Sequence, residues 1–146
     1  MELTRDNLVL SDDKSLIDIE VVHGFLQTAY WSEGVPRSIV AGAIENSLCI
    51  GVYEGSAQVA FARVITDYST FAYLADVFVI PSYRGHGIGK WMVTSIIDEP
   101  RLQGLRRWLL ATRDAHGLYE QVGFRPLNDP SRWMEIRLKN AYRPGC

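Results

Sequence analysis

The sequence predicts an α/β (α+β) fold with a mixed, mostly antiparallel central sheet of about six to seven strands and about four flanking helices. The first observation is a series of β-rich segments separated by short turn sequences, which predicts consecutive hairpins. These segments are Leu48 to Tyr53, Ala57 to Thr66 and Phe71 to Ile80. The second observation is an apolar segment, Trp108 to Ala111, that follows a helical pattern. A helical crossover makes the strand after it parallel to the strand before it.

Shorter elements surround this sheet. Leu8 to Leu10 is predicted as a short first strand, ended by turn residues. Asp18 is predicted to cap a first helix, because an apolar stripe at helical spacing follows it. Pro36 then opens a second helix that ends at Asn46. The C-terminal part is predicted to contain a short helix and a final antiparallel pair of strands: Ala115 to Gln121, Phe124 to Leu127 and Trp133 to Leu138.

Composition limits the function classes. Hydrophobic residues make up 47% and charged residues 22% of the 146 residues, which excludes a disordered chain. The longest uncharged apolar run is shorter than the roughly 18 residues that a membrane span requires. We expect one domain over 1–146. A net charge of −2 gives no general attraction to nucleic acid or anionic membranes. The N-terminal sequence lacks the pattern of a secretory signal, so we expect a cytoplasmic location.

The stretch from Val77 to Ile97 reads as a strand, a glycine-rich loop and an amphipathic helix. Glycines leave the backbone bare where the strand ends, so N–H groups and the positive end of the helix dipole would face one anion. Arg84 and Lys90 add charge on either side. The three glycines are Gly85, Gly87 and Gly89.

Two familiar phosphate loops do not fit this stretch. A nucleotide P-loop needs Gly and then Ser or Thr where the chain has Arg84 and Trp91. A dinucleotide fingerprint needs a third Gly where the chain has Lys90, and it needs an acidic residue after a second strand that the sequence does not supply. The anion is therefore not assigned by either motif.

The loop Arg84-Gly85-His86-Gly87-Ile88-Gly89 resembles the Arg/Gln-x-x-Gly-x-Gly/Ala signature of the GCN5-related N-acetyltransferases, the GNAT family. Further along, Leu118-Tyr119-Glu120-Gln121-Val122-Gly123-Phe124 resembles the family's Tyr-Glu-x-x-Gly-Phe segment. The resemblance is close from Val77 to Phe124, and the order of elements extends it loosely from Leu8 to Arg137.

The resemblance implies the GNAT fold, in which two central strands splay apart to admit the pantetheine arm of acetyl-CoA, and no metal. It implies that the backbone of Val77, Phe78 and Val79 pairs with pantetheine. The N–H groups of the loop would hold the pyrophosphate, and Asp114 would either contact the cofactor or cap the helix after it. The loop residues are Arg84, Gly85, His86, Gly87, Ile88, Gly89 and Lys90. A homodimer is common in the family.

Acetyl transfer needs a neutral amine and a proton for the leaving thiolate. By resemblance, Tyr119 is the expected general acid. Asp76, next to the cofactor strand's pantetheine-binding residues, is the expected base, although a carboxylate paired with an Arg or a backbone N–H is an equal alternative. Some family members carry the acid one position earlier, at Ala75 here. His116, one turn before Tyr119, would act through water or lie on the surface.

Candidate acceptor residues follow from their place in the layout. Tyr30 and Trp31 lie in the break between the first two helices, where the family commonly places its substrate lid, and Asp67 and Tyr73 flank the turn into the cofactor strand. Aromatic side chains beside acids suit a cationic amine. The alternative is that they are core aromatics and solvated acids.

These observations predict an N-acetyltransferase that moves an acetyl group from acetyl-CoA to a primary amine of a small molecule, by direct attack. Three alternatives remain: acetylation of a protein or peptide, transfer of a longer acyl group, and a non-catalytic coenzyme A-binding regulator.

Overall fold

The computed structural model describes residues 1–142 and contains one six-stranded sheet. The strands lie side by side in sequence order. The first five pair antiparallel, and the sixth pairs parallel with the fifth. They are β1 (Glu2–Arg5), β2 (Leu8–Ser11), β3 (Leu48–Glu54), β4 (Ala57–Thr66), β5 (Phe71–Val79) and β6 (Arg107–Leu109). The predicted mixed, mostly antiparallel sheet is therefore confirmed.

Four α-helices pack on this sheet: α1 (Ile19–Leu26), α2 (Arg37–Glu45), α3 (Ile88–Ile97) and α4 (His116–Gln121). The predicted start of α1 is confirmed, because the Asp18 carboxylate accepts hydrogen bonds from the N–H groups of Glu20 and Val21. Pro36 precedes α2, and Asn46 is its C-cap residue, as predicted.

The core has two parts, one on each face of the sheet. On the first face, Val22 and Leu26 of α1 and Val40 of α2 pack with Phe61 and Phe78 from the strands. On the second face, buried residues of α3 pack against β2, β3, β4 and β5; these α3 residues are Ile88, Met92, Val93 and Ile96. The helices therefore cover both faces, and the carboxyl end of β5 lies between the two layers.

A bulge in β5 changes which residues face each layer. The β4–β5 register slips between Phe61 and Arg63, and Asp76 lies opposite the slip with a φ of +54°. Before the bulge Leu74 belongs to the α3 side of the core, whereas Phe78, an even number of residues later, belongs to the α1 side. One inserted residue reverses the alternation of a strand. The bulge therefore fixes where the last residues of β5 point.

The structure differs from the prediction at both ends. β1 was not predicted; it is an exposed edge strand joined to β2 by a short turn in which Asp6 has a φ of +55°. Neither Phe124 to Leu127 nor Trp133 to Leu138 forms the predicted strands. In the described chain these two segments have no strand partner, and alternating side chains alone do not stabilise a strand. Among residues 1–142, no helix has the length and apolar character to cross a membrane.

Candidate active site

The sheet opens between its last two strands. Only Phe71, Ala72 and Tyr73 of β5 pair with β6, through Arg107, Trp108 and Leu109. From Leu74 to Val79, this edge of β5 has no strand partner within residues 1–142. An extended ligand can bind to such an edge as an added strand. The opening lies where the predicted pantetheine-binding residues Val77, Phe78 and Val79 are located.

The glycine-rich loop follows β5 and leads into α3. Gly85 and Gly87 have φ values of +84° and +76°, a conformation that residues with a Cβ rarely adopt. Within the described chain, the N–H groups of residues 85–90 donate no backbone hydrogen bond, whereas the N–H of Arg84 bonds to the Pro81 carbonyl. Residues 84–87 are exposed. The loop thus presents a set of available amides at the start of a ten-residue helix, which suits an anion.

Arg5 of β1 supports this loop and was not predicted. Its guanidinium donates Nη2 to the His86 carbonyl at 2.6 Å and Nη1 to the Gly87 carbonyl at 3.3 Å. It also lies 5.6 Å from the centre of the Trp91 ring. In a trans peptide the N–H points opposite to the C=O, so the N–H groups of Gly87 and Ile88 point away from Arg5, and the guanidinium adds a positive charge beside the loop.

Arg84 has a different contact. Its Nε donates to the Val79 carbonyl at 3.0 Å, so this side chain lies against the end of β5. A ligand that pairs with the Val79 carbonyl would have to displace it. Lys90 is exposed on the first turn of α3.

Tyr119 lies beside the opening on α4. It is 9% exposed, and its ring packs edge-on against Phe124 at 5.9 Å. Burial raises the pKa of Tyr119 to about 12, with smaller contributions from the charges of Tyr30 and Asp114. The neighbouring Leu118 lies close to Gly89, because a Cβ built on Gly89 would be 3.9 Å from its Cδ2. The start of α3 is therefore adjacent to α4, the helix that carries Tyr119.

A cavity of about 670 Å³ adjoins this opening, and we call it the acceptor cavity. It extends from α1 and α2 across β5 to the segment 110–115. Its lining includes three of the four predicted acceptor residues and both predicted catalytic residues: Tyr30, Trp31, Tyr73, Asp76 and Tyr119. The cavity also reaches Val77, so it is continuous with the open edge of β5.

Two hydrogen bonds fix the aromatic residues at the mouth of this cavity. The Trp31 Nε1 donates to Asp76 Oδ1 at 2.9 Å, and the Arg113 backbone N–H donates to the Tyr30 hydroxyl at 3.0 Å. The Arg113 guanidinium also lies 3.9 Å from the centre of the Tyr30 ring. These contacts join the break between α1 and α2 to the segments on either side of the opening.

Comparisons with known proteins identify the family of this chain. Residues 20–124 match the model of the acetyltransferase (GNAT) family. The chain belongs to this family. The matched range contains both the glycine-rich loop and Tyr119.

Individual GNAT relatives agree with the assignment. A Gibberella zeae protein named as an acetyltransferase is 32% identical over 98% of this chain and 93% of its own length. The mouse thialysine N-epsilon-acetyltransferase is 30% identical over 61% of this chain and 57% of its own length. A crystal structure of a GNAT-family protein from Xanthomonas campestris pv. campestris has a TM-score of 0.90 and 47% identity, and the match covers 92% of this chain and 96% of that one. The protein is thus a GNAT N-acetyltransferase.

Asp67 lies elsewhere in this GNAT protein. Its carboxylate accepts hydrogen bonds from the Thr70 hydroxyl and from the N–H groups of Ser69, Thr70 and Phe71, and these bonds lower its pKa. It does not line the acceptor cavity. All of these bonds close the turn between β4 and β5, so we assign Asp67 to that turn and leave it out of the acceptor site.

The remaining predicted residues, Asp114 and His116, lie at the start of α4 or just before it. Asp114 lines the acceptor cavity but does not cap α4, which begins after Ala115 without a side-chain cap. It lies 3.8 Å from the Arg113 guanidinium and is mostly exposed. His116 is the first residue of α4 and faces a second cleft beside β6. Among the described residues, no group of three or more His, Cys, Asp or Glu side chains is placed to hold a metal ion.

Asp76 is a paired carboxylate in this GNAT site. While Trp31 donates to Oδ1, the Arg63 Nε donates to Oδ2 at 2.8 Å. Arg63 in turn donates to the Ser47 hydroxyl at 3.1 Å. Both carboxylate oxygens therefore accept a hydrogen bond, and one of them neutralises a partly buried guanidinium. A carboxylate paired with an Arg is the alternative to a catalytic base that the sequence analysis gave for Asp76.

Proposed function

We propose that this protein transfers an acetyl group from acetyl-CoA to the primary amine of a small molecule, by direct attack of the amine on the thioester. One observation carries the proposal. An open strand edge, a loop with available amides and the Tyr119 hydroxyl lie together beside a cavity lined by aromatic side chains and a carboxylate. The open strand edge suits the pantetheine arm of the donor, the loop amides suit its phosphates, and the cavity suits the acceptor.

Acetyl-CoA would extend along the open edge of β5. The backbone of Val77, Phe78 and Val79 would pair with the amides of pantetheine, and the Arg84 side chain would leave the Val79 carbonyl. The pyrophosphate would accept hydrogen bonds from the backbone of the glycine-rich loop. We include the Arg5 guanidinium in this part of the site, because it holds the loop carbonyls of His86 and Gly87. The thioester would then lie near Tyr119.

The acceptor amine would enter the acceptor cavity beside Tyr30, Trp31 and Tyr73. The aromatic faces of these side chains favour a cation. The amine must lose a proton before it attacks, and for an amine with a pKa near 10.4 this costs about 4.6 kcal/mol at pH 7. Asp76 acts here as a positioning residue for Trp31, because both of its oxygens already accept hydrogen bonds from Trp31 and Arg63. The proton passes to solvent.

In the transfer step, the amine nitrogen forms a bond to the thioester carbon and the carbon–sulfur bond breaks. Tyr119 donates a hydrogen bond to the leaving sulfur. With a tyrosine pKa of about 12 and a thiol near 8.5, complete proton transfer is uphill by about 5 kcal/mol. Tyr119 therefore stabilises the thiolate as a hydrogen-bond donor, and the proton that completes the free thiol comes from solvent.

We infer a small-molecule acceptor over a protein segment, because residues from α1, α2, β5 and the segment 110–115 all line the acceptor cavity. Tyr142 lines the cavity from the C-terminal side, and its carbonyl oxygen would be 3.5 Å from a Cβ built on Gly34. Tyr142 therefore contributes to the wall of the acceptor cavity beside Gly34. We keep the expected cytoplasmic location as part of the proposal, because small amines and acetyl-CoA would both be available there.

The test is release of free thiol from acetyl-CoA against polyamines, amino acids, aminoglycosides and peptides, with mass spectrometry of the product. We expect a mass increase of one acetyl group on a small amine, and no acetyl group on the enzyme in the absence of acceptor. Acetylation of peptides only would contradict the proposed small-molecule acceptor. Faster turnover of longer acyl-CoAs would contradict acetyl-CoA as the donor. Binding of coenzyme A without turnover of any acceptor would favour a regulator.

A further inference from the structure

The part of the acceptor cavity formed by α1 and α2 is apolar. Ile39 and Ala43 lie one helical turn apart on α2, so their side chains share a face of that helix. Both line the cavity, and α1 contributes Val22 and Leu26 to the same lining. Ile39 is 49% exposed, although isoleucine is among the residues most often buried in proteins. This end of the cavity therefore offers hydrocarbon surface, part of which the protein itself leaves uncovered.

The charged side chains that line the acceptor cavity form two pairs. Among residues 1–142 they are Arg63, Asp76, Arg113 and Asp114. Arg63 lies 2.8 Å from Asp76, and these two side chains are 17% and 13% exposed. Arg113 lies 3.8 Å from Asp114, and both of these side chains are mostly exposed. The formal charges of the described lining sum to zero, and its partly buried carboxylate already has a cationic partner.

The place of the acetyl donor decides which end of the acceptor meets the apolar wall. Under the proposed function, on which this inference rests, the thioester lies at the open edge of β5 near Tyr119. The reacting nitrogen must reach that edge, so the rest of the acceptor extends into the cavity, which continues from β5 to α1 and α2. A volume of about 670 Å³ is enough for a whole small molecule. The body of the acceptor therefore contacts the apolar end.

We propose that the acceptor is a primary monoamine with an apolar body, and that Ile39 selects for this body. The ammonium group would lie against the aromatic faces of Tyr30 and Trp31, and the hydrocarbon would cover Ile39 and Ala43. Removing both apolar surfaces from water favours binding. A second ammonium group at the far end of the acceptor would lose its water at Ile39 and gain no partner. Polyamines and aminoglycosides are accordingly poorer acceptors than alkylamines.

A matched pair of amines tests the proposal on the wild-type enzyme. n-Hexylamine and hexamethylenediamine share a six-carbon chain, and they differ in that the diamine carries a second ammonium group in place of a methyl group. With thiol release from acetyl-CoA as the readout, we expect kcat/KM to be about tenfold higher for n-hexylamine, because the second charge must be desolvated. An equal or higher kcat/KM for the diamine would overturn the proposal.

The Ile39→Glu variant tests the residue that selects. A carboxylate at this position would pair with the far ammonium group of the diamine, so we expect the ratio of the two kcat/KM values to shift about tenfold toward the diamine. Ile39 is the third residue of α2, where an acidic side chain is favourable to the helix. Leu16→Glu is the matched control, because Leu16 is 47% exposed and lies outside the acceptor cavity, and its ratio should equal that of the wild type. An unchanged ratio in Ile39→Glu would contradict the role of Ile39.

Calorimetry separates this inference from the proposed reaction. In the enzyme saturated with coenzyme A, n-hexylamine should bind about tenfold more tightly than hexamethylenediamine. Such binding without thiol release from acetyl-CoA would refute acetyl transfer and still support an apolar monoamine as the ligand of the cavity. Thiol release with polyamines or peptides, together with no binding of n-hexylamine, would retain the reaction and overturn the proposed acceptor.

Discussion

Trp31 donates its indole N–H to Asp76 across the mouth of the acceptor cavity, at 2.9 Å. This bond joins the break between α1 and α2 to the bulge of β5, two regions that are 45 residues apart in sequence. The Trp31 ring also lies 6.3 Å from Phe25, which stacks on Phe78 at 4.1 Å. This hydrogen bond and this stack of aromatic rings therefore contribute to the position of the break between α1 and α2.

The Trp31→Phe variant removes this hydrogen bond and keeps an aromatic ring. A hydrogen bond to a charged group is worth about 1.5 kcal/mol at the low end, so we expect KM for the amine to rise about tenfold while kcat changes less than threefold. Initial rates at saturating acetyl-CoA measure both. An unchanged KM would remove Trp31 from the acceptor site.

Asp76→Asn provides the comparison, because an amide oxygen can still accept from Trp31 while the charge is lost. The Arg63 guanidinium, whose side chain is 17% exposed, would lose its charged partner, and we expect the free energy of unfolding to fall by about 2 kcal/mol. If Asp76 were the base instead of a positioning residue, kcat would fall by several orders of magnitude and the pH dependence of kcat would change. Chemical denaturation and pH-rate profiles separate the two roles.

Gly87→Ala tests the glycine-rich loop against a matched glycine. Gly87 and Gly104 have the same φ of +76°, so an alanine at either position has the same backbone strain, about 1 kcal/mol. A Cβ on Gly87 would also lie 3.3 Å from Arg5 Nη2, whereas a Cβ on Gly104 would meet nothing within 4 Å. We expect Gly87→Ala to weaken acetyl-CoA binding about tenfold by calorimetry and Gly104→Ala to leave it unchanged. Equal affinities in the two variants would argue against the loop as the phosphate site.

Local sequence motifs are enough to indicate the glycine-rich loop and the helix that carries Tyr119. The loop from Arg84 to Gly89 and the position of Tyr119 depend on neighbouring residues, and hairpin turns fix the order of β3, β4 and β5. Arg5 could not be predicted, because its contact with Gly87 crosses 82 residues and its strand is short and exposed. The bulge at Asp76 could not be predicted either, because the alternating pattern of a strand does not indicate that an aspartate within it has a positive φ. The two C-terminal strands are predicted from an alternating pattern of side chains, but within residues 1–142 neither segment has a strand partner.

Arg5→Gln tests the residue that the sequence did not indicate. Because Arg5 donates to the His86 and Gly87 carbonyls, its loss should loosen the loop and weaken acetyl-CoA binding about fivefold, a difference of about 1 kcal/mol. The loss should be the same for coenzyme A and for 3′-dephospho-coenzyme A if Arg5 acts through the loop. A loss seen only with the 3′-phosphate present would mean that Arg5 binds that phosphate directly.

Tyr119→Phe should lower kcat at least tenfold with little change in acetyl-CoA affinity, because the hydrogen bond to a developing thiolate exists only late in the reaction. Stopped-flow thiol release and calorimetry measure the two quantities. Tyr68→Phe is the control, since Tyr68 is 43% exposed and does not line either cavity. Unchanged turnover in Tyr119→Phe would leave Tyr119 as a packing residue only.

The pH dependence of the wild type follows from the same residue. Burial raises the pKa of Tyr119 to about 12, so the folded enzyme keeps the phenol proton at every pH well below that value. We therefore expect kcat/KM to rise with pH as the acceptor amine loses its proton, with no falling limb below about pH 10. A falling limb between pH 7 and 9 that disappears in Tyr119→Phe would mean that coenzyme A binding lowers this pKa, and that Tyr119 transfers its proton completely to the leaving sulfur.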